Sequence, residues 1–98
     1  PCMKSIQCWG DKHSVSGGIY CRPFVEKSAK YDFEWTDSWI EAKFSHFRWK
    51  NAENRDAGIV TYIGDKVKFQ NGYGAWQRVT YECDFDPTGE SVLDIRIQ

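Results

Sequence analysis

The side chains of this 98-residue chain that could do chemistry are four cysteines, two histidines and a scatter of carboxylates. Cys2, Cys8, Cys21 and Cys83 are even in number in a short chain, which is the pattern of two disulfides in an oxidising compartment; four cysteines allow three pairings. A zinc site would want close ligand pairs, whereas five, twelve and sixty-one residues separate successive cysteines here. Adding His13 gives a Cys2, Cys8, His13 and Cys21 set, but the same spacing argues against it, and no metal or other cofactor is expected. Asp32 and Glu34, with Asp37 beyond them, could supply the two carboxyls of acid–base hydrolysis if a cleft held them ~5–9.5 Å apart. Their alternation with aromatic residues instead puts them on the solvated face of a strand. His46 lies among Phe44, Phe47 and Arg48 with no activated nucleophile to serve, so it reads as a rim histidine. Asp84, Asp86, Thr88 and Gly89 look like the start of a calcium loop, yet the twelfth position, where a bidentate Glu belongs, is Ile95. With no nucleophile, base and orienting group in evidence, the chain is not expected to be an enzyme or to hydrolyse generic esters, peptides or glycosides.

Aromatic residues are the remaining lead. Five Trp, five Tyr and six Phe make up 16% of the chain, so large rings must build its core. Trp35, Phe47, Phe69, Tyr81 and Phe85 alternate with charged or polar neighbours, and burial explains them. Trp76 shares its face with Arg78 and Thr80 and follows Tyr73 in a glycine-rich turn. Tyr73, Trp76 and Arg78 are therefore the candidate binding residues, since amphipathic rings are common anchors of contact surfaces. The competing structural role for Trp76 is to fold over the sheet against the helix.

The elements that position these groups follow from periodicity. Residues 1–20 contain Ser14-Val15-Ser16-Gly17-Gly18 and no sustained period, and read as a loop-rich arm; residues 21–98 read as one α+β domain. Pro23 marks a helix start, with a short amphipathic helix to about Lys30. Tyr31 to Trp35 alternates as a strand, and Ser38 to Glu41 has capping-box spacing. Phe47 and Trp49 lie on another strand, Asn51 to Asp56 on a polar loop, and Ile59 to Ile63 on a strand closed by a Gly64-Asp65 turn. Lys66 to Gln70 follows, then a turn at Asn71 to Gly74, then a long strand with Val79, Tyr81, Cys83 and Phe85 on one face. Asp86-Pro87-Thr88-Gly89 turns into a last strand that shows Leu93, Ile95 and Ile97 to the core. The expected architecture is a short N-terminal helix packed on a curled antiparallel meander and stabilised by disulfides. Cys21 on the helix then meets Cys83 on the inward face of the long strand, leaving Cys2 for Cys8.

Length fits one domain with a modest core. Thirteen basic and fourteen acidic side chains give a net charge of -1, without the positive field that a phosphate backbone requires, so nucleic acid is not an expected partner. No apolar run approaches the ~20 residues of a membrane span. The chain begins at Pro1 without an initiator Met or leader, which reads as a processed or trimmed start.

From Cys21 to Ile97 the chain resembles small exported proteins of alphaproteobacteria that have no assigned function. The matching phrases are Tyr31-Asp32-Phe33-Glu34-Trp35-Thr36, Gly64-Asp65, Phe69-Gln70-Asn71-Gly72-Tyr73-Gly74-Ala75-Trp76 and Tyr81-Glu82-Cys83-Asp84. The resemblance implies a periplasmic or secreted location and brings no catalytic residues. The expected function is a non-catalytic interaction or accessory-subunit domain with a protein partner in the cell envelope. The alternative is an envelope-associated carbohydrate-binding protein or hydrolase using Asp32 and Glu34 with Trp76, and any small-molecule ligand is left open.

Overall fold

The computed structural model describes residues 2–36 and 46–98. Asp37, the Ser38–Glu41 capping box and Phe44 lie outside the described residues. Among those described, the order is a 3-10 turn (Cys2–Lys4), α1 (Ile6–Lys12), α2 (Ser14–Lys27), β1 (Phe33–Trp35), β2 (His46–Arg48), α3 (Ala52–Ala57), β3 (Val60–Gln70), β4 (Trp76–Asp86) and β5 (Ser91–Ile97). All five strands form one antiparallel sheet, in which β1 and β2 pair with different stretches of the same edge of β3, followed by β4 and β5. Helices at the N-terminus pack on one face of that sheet, the α+β arrangement expected.

The loop-rich arm expected over residues 1–20 is helical instead, and α2 begins at Ser14 rather than near Pro23. Glycines in a helix cost about 1 kcal/mol each relative to alanine, so propensity argued against it. Packing wins because Gly17 is where the helix backbone meets Tyr62: a Cβ built there would lie 2.7 Å from Tyr62 Cε2. Tyr62 is fully buried and donates a 2.9 Å hydrogen bond to the Gly10 carbonyl of α1, so it is held on both helices. Burial, aided by the charge of Asp11, pushes its phenol pKa far up and keeps it neutral. Pro23 sits inside α2 on the solvent side, where water can satisfy the Ile19 carbonyl that proline cannot reach.

Gly17, Cys21 and Val25 recur at every fourth residue and form the buried line of α2. Cys21 is joined to Cys83 of β4, and Cys2 to Cys8 across the first turn and α1, as the sequence suggested. Around the central bridge, Val60, Tyr62 and Phe85 make one core cluster, with Trp9 and Phe47 against it. Val25, Val67 and Tyr81 make a second, with Phe33 and Trp35 against it.

Three further readings need correction. Gly64-Asp65 is no turn: β3 runs through it, with Gly64 opposite Tyr81 and a bulge before Val67 opposite Val79. The inward positions change there from Val60 and Tyr62 to Val67 and Phe69, a phase change that the sequence presents as two strands. Lys66, within the bulge, donates its amide to the Tyr81 hydroxyl at 3.3 Å. The polar loop at 51–56 contains α3, which Asn51 caps through a 2.8 Å bond from the Asn54 amide and Gly58 ends at φ 76°. Finally, a bulge in β5 places Val92 opposite Phe85 and Ile95 opposite Cys83, so Leu93 is the extra residue and stands exposed. Thr80 and Gln98 exchange both backbone bonds, so by alternation the Ile95 amide points away from β4; it donates to its neighbour's Asp94 Oδ1 at 2.9 Å.

Three variants test this packing. Replacing Cys21 and Cys83 together by Ala should lower unfolding free energy by about 4 kcal/mol, and replacing Cys2 and Cys8 by about 2, because the loops closed differ in length. Gly17→Ala should cost about 1–3 kcal/mol through overpacking against Tyr62. Denaturant unfolding of the oxidised proteins measures all three.

Candidate contact surface

The face of the sheet turned away from α2 is divided into two regions. Near β2 and β5 it is a lattice of charge. Asp84, 3% exposed, receives a 2.6 Å hydrogen bond from the Thr61 hydroxyl and two from Arg96, at 2.9 and 3.0 Å, with Lys50 Nζ 3.6 Å away. Arg96 also reaches Glu82 at 3.1 Å and Asp94 at 2.9 Å, and Arg48 joins Glu82 at 2.9 Å. Burial by itself would raise the Asp84 pKa, but hydrogen bonds from Arg96 and Thr61 and the charges of Arg96 and Lys50 outweigh it and hold the carboxyl below its ordinary value. Those hydrogen bonds in turn raise the pKa of Arg96. With both Asp84 oxygens engaged and Asp86 Oδ1 accepting the Thr88 amide at 3.0 Å, the calcium-loop pattern is a hydrogen-bonded turn.

Toward the β3–β4 turn the same face becomes mixed. Cross-strand register puts Glu34, Lys68 and Arg78 in one row, and Gln70 opposite Trp76 in the next. Alternation brings Asp32, whose carbonyl accepts the Gln70 amide at 2.9 Å, to the side of Glu34. Tyr73 is 97% exposed, Trp76 41%, and Arg78 is exposed as well. Trp76 therefore stands on the face opposite α2, and the reading in which it covers the core against the helix does not hold.

The turn is held from within. Asn71 Oδ1 accepts from the Tyr73 amide at 2.9 Å and the Ala75 amide at 3.1 Å, while Gln70 Nε2 donates to the Gly74 carbonyl at 3.2 Å. Gly74 has φ 83°, which the turn requires and a side chain would disfavour. Tyr31, 56% exposed, approaches Gly72, so a third ring joins this end of the molecule. The sequence singled out Tyr73, Trp76 and Arg78 but missed Gln70, Lys68 and Tyr31; the outward alternation of Lys66, Lys68 and Gln70 was the available signal.

His46 is exposed on β2. The zinc alternative loses its thiolates to the two disulfides, and among the described residues no three His, Cys, Asp or Glu side chains cluster as a metal site. His13 instead joins α1 to α2 and stands edge-on to Trp9, ring centroids 4.3 Å apart. Its Nε2 is buried without a hydrogen-bond partner among the described residues, and burial followed by the charge of Lys12 holds its pKa below the ordinary value. A surface cavity of about 460 Å³ lies at the far end of β3, lined by Met3, Lys4, Arg55 and Asp56, and involves none of the singled-out residues. No protein-family model, curated protein or solved structure matches this chain.

Two of the perturbed groups, His13 and Asp84, act on the acid limb of stability. His13 binds a proton less readily folded than unfolded, so its contribution is present above pH ~6.5 and declines as pH falls below that value. Asp84 is depressed in the fold, so its contribution is present above pH ~4 and is lost as pH falls further. Asp84→Asn should cost about 2 kcal/mol at neutral pH and flatten the lower step, while His13→Gln should flatten the upper one. Urea midpoints between pH 3 and 8 read both.

Proposed function

We propose that the chain is a non-catalytic interaction or accessory-subunit domain of the cell envelope, periplasmic or secreted, that contacts a protein partner through Tyr73, Trp76 and Arg78. The observation that carries this reading is the exposure of Tyr73 and Trp76 on a turn fixed by Asn71. A turn whose backbone is already held loses less entropy on binding, and Tyr and Trp, with few rotatable bonds, make effective anchors. Two disulfides, with no free cysteine among the described residues, support an oxidising compartment. Among the described residues no helix is long and apolar enough to cross a membrane.

A second reading is favoured by one feature. Glu34 and Trp76 share a sheet face, with Lys68, Gln70 and Arg78 between and beside them. A flat ring next to amide, carboxylate and guanidinium groups suits a sugar, so carbohydrate binding is the alternative occupant of the same surface.

Trp76→Ala should change unfolding free energy by less than about 1 kcal/mol, since the ring is no part of the core. The same substitution should abolish recovery of a protein partner from envelope extract, with Tyr73→Ala weakening it. A loss of several kcal/mol would assign Trp76 to the core. Retention on an immobilised glycan that Trp76→Ala and Glu34→Gln both abolish would move the assignment to carbohydrate.

A further inference from the structure

Helix α2 carries two apolar lines. Gly17, Cys21 and Val25 face the sheet, as described. Val15, Ile19 and Pro23 recur at the same four-residue interval about 160° around the helix, and therefore point away from it. Val15 is 75% exposed and Ile19 65%. A helix buried on one side gains nothing in its own core from Val and Ile on the other, so this second line needs a different explanation. Its flanks are cationic. Lys12, the last residue of α1, and Lys27 are exposed, with Lys12 Nζ 5.6 Å from the Trp9 ring centroid and Lys27 Nζ 5.7 Å from that of Phe24, whereas Arg22 is turned to Glu26 and lies 5.5 Å from the Trp35 ring centroid. Glu26, the one acidic residue within α2, is occupied by Arg22 at 3.0 Å and by Trp35 Nε1 at 2.7 Å.

The charges of the whole chain are sorted the same way. Residues 1–30 hold five basic and two acidic side chains, and the remaining residues eight basic and twelve acidic. The N-terminal segment is thus net positive and the rest of the chain net negative, although the total is close to neutral and Glu90 meets Tyr20 of α2. We propose that the outer line of α2, Val15, Ile19 and Pro23 with Lys12 and Lys27 beside it, seats the domain on an anionic lipid surface. The line spans only about 12 Å, too little for the ~800 Å² that each partner of a stable protein pair buries. A second copy would also bring the same cations against these. A plane of phosphate headgroups complements them, and short apolar side chains enter the interface while lysines reach out to the headgroups. The aromatic turn, on the sheet face opposite α2, then stays open to a partner. This inference stands independently of the partner reading.

The test is co-sedimentation of the full, oxidised chain with vesicles of phosphatidylcholine alone and of phosphatidylcholine mixed with phosphatidylglycerol. Binding is expected to the second only, and to weaken as salt screens the charges. Lys12→Gln and Lys27→Gln should each lower partitioning about fivefold. The double variant Val15→Ser/Ile19→Ser should lower it at least about tenfold while both disulfides and the unfolding midpoint are retained, since both positions are exposed. Trp76→Ala should bind vesicles like the parent, which separates failure here from failure of the partner reading. Equal binding to both vesicles, no binding to the anionic ones, or an unchanged double variant would overturn the proposal. So would self-association in sedimentation that Ile19→Ser abolishes while the vesicles are ignored, which would give the line to a second copy.

Discussion

One close approach organises this molecule: the backbone of α2 at Gly17 lies directly on the ring of Tyr62, four residues before Cys21 is bonded to Cys83. The ring can occupy the space a Cβ would fill only because there is none, and its hydroxyl then reaches α1 at Gly10. A single tyrosine thereby fixes two helices and the sheet relative to one another. The disulfide continues the same line, and Val25 ends it against Val67 and Tyr81. This line of contacts also decides which side of α2 meets water and which face of the sheet remains uncovered.

That uncovered face is stabilised differently in its two regions. Asp84 is almost fully buried and ionised, a state that would be unfavourable without Arg96, Thr61 and Lys50 around it. Arg96 binds three carboxylates on two strands and so ties β4 to β5. Such a lattice leaves neither oxygen of Asp84 to spare for a ligand. The region around Trp76 and Tyr73 is the reverse: its backbone is fixed by Asn71, while its side chains remain exposed. Rigid framework and available surface are thus separated along the length of β4.

How much of this was legible depended on whether a local signal agreed with its tertiary context. The long alternation of Val79, Tyr81, Cys83 and Phe85 states its own burial, and with it the Cys21–Cys83 pairing. The exposed turn could be read from Asn71, Gly72 and Gly74. Residues 14–20 could not be read as helix, because Gly17 and Gly18 lower helical propensity and Gly17 is there to accommodate Tyr62, 45 positions further along the chain. The two bulges misled for a related reason: each moves the inward face by one residue, so period-two reasoning saw a turn at Gly64 and gave Leu93 a place that belongs to Val92. Asp84 was legible as an outward position; its burial arises only from side chains of three other strands or loops meeting over it.

The exposed backbone of β5 has a consequence for life in a crowded compartment. A free strand edge invites any extended chain, including a copy of itself, to add on and begin an aggregate. Here the Ile95 amide, which such a chain would need, is already taken by Asp94, and Arg96 holds that carboxylate in position. Leu93, as the extra residue, breaks the regular spacing two positions earlier. The last strand is thereby made a poor template, so the sheet can stay open on one side without recruiting its neighbours.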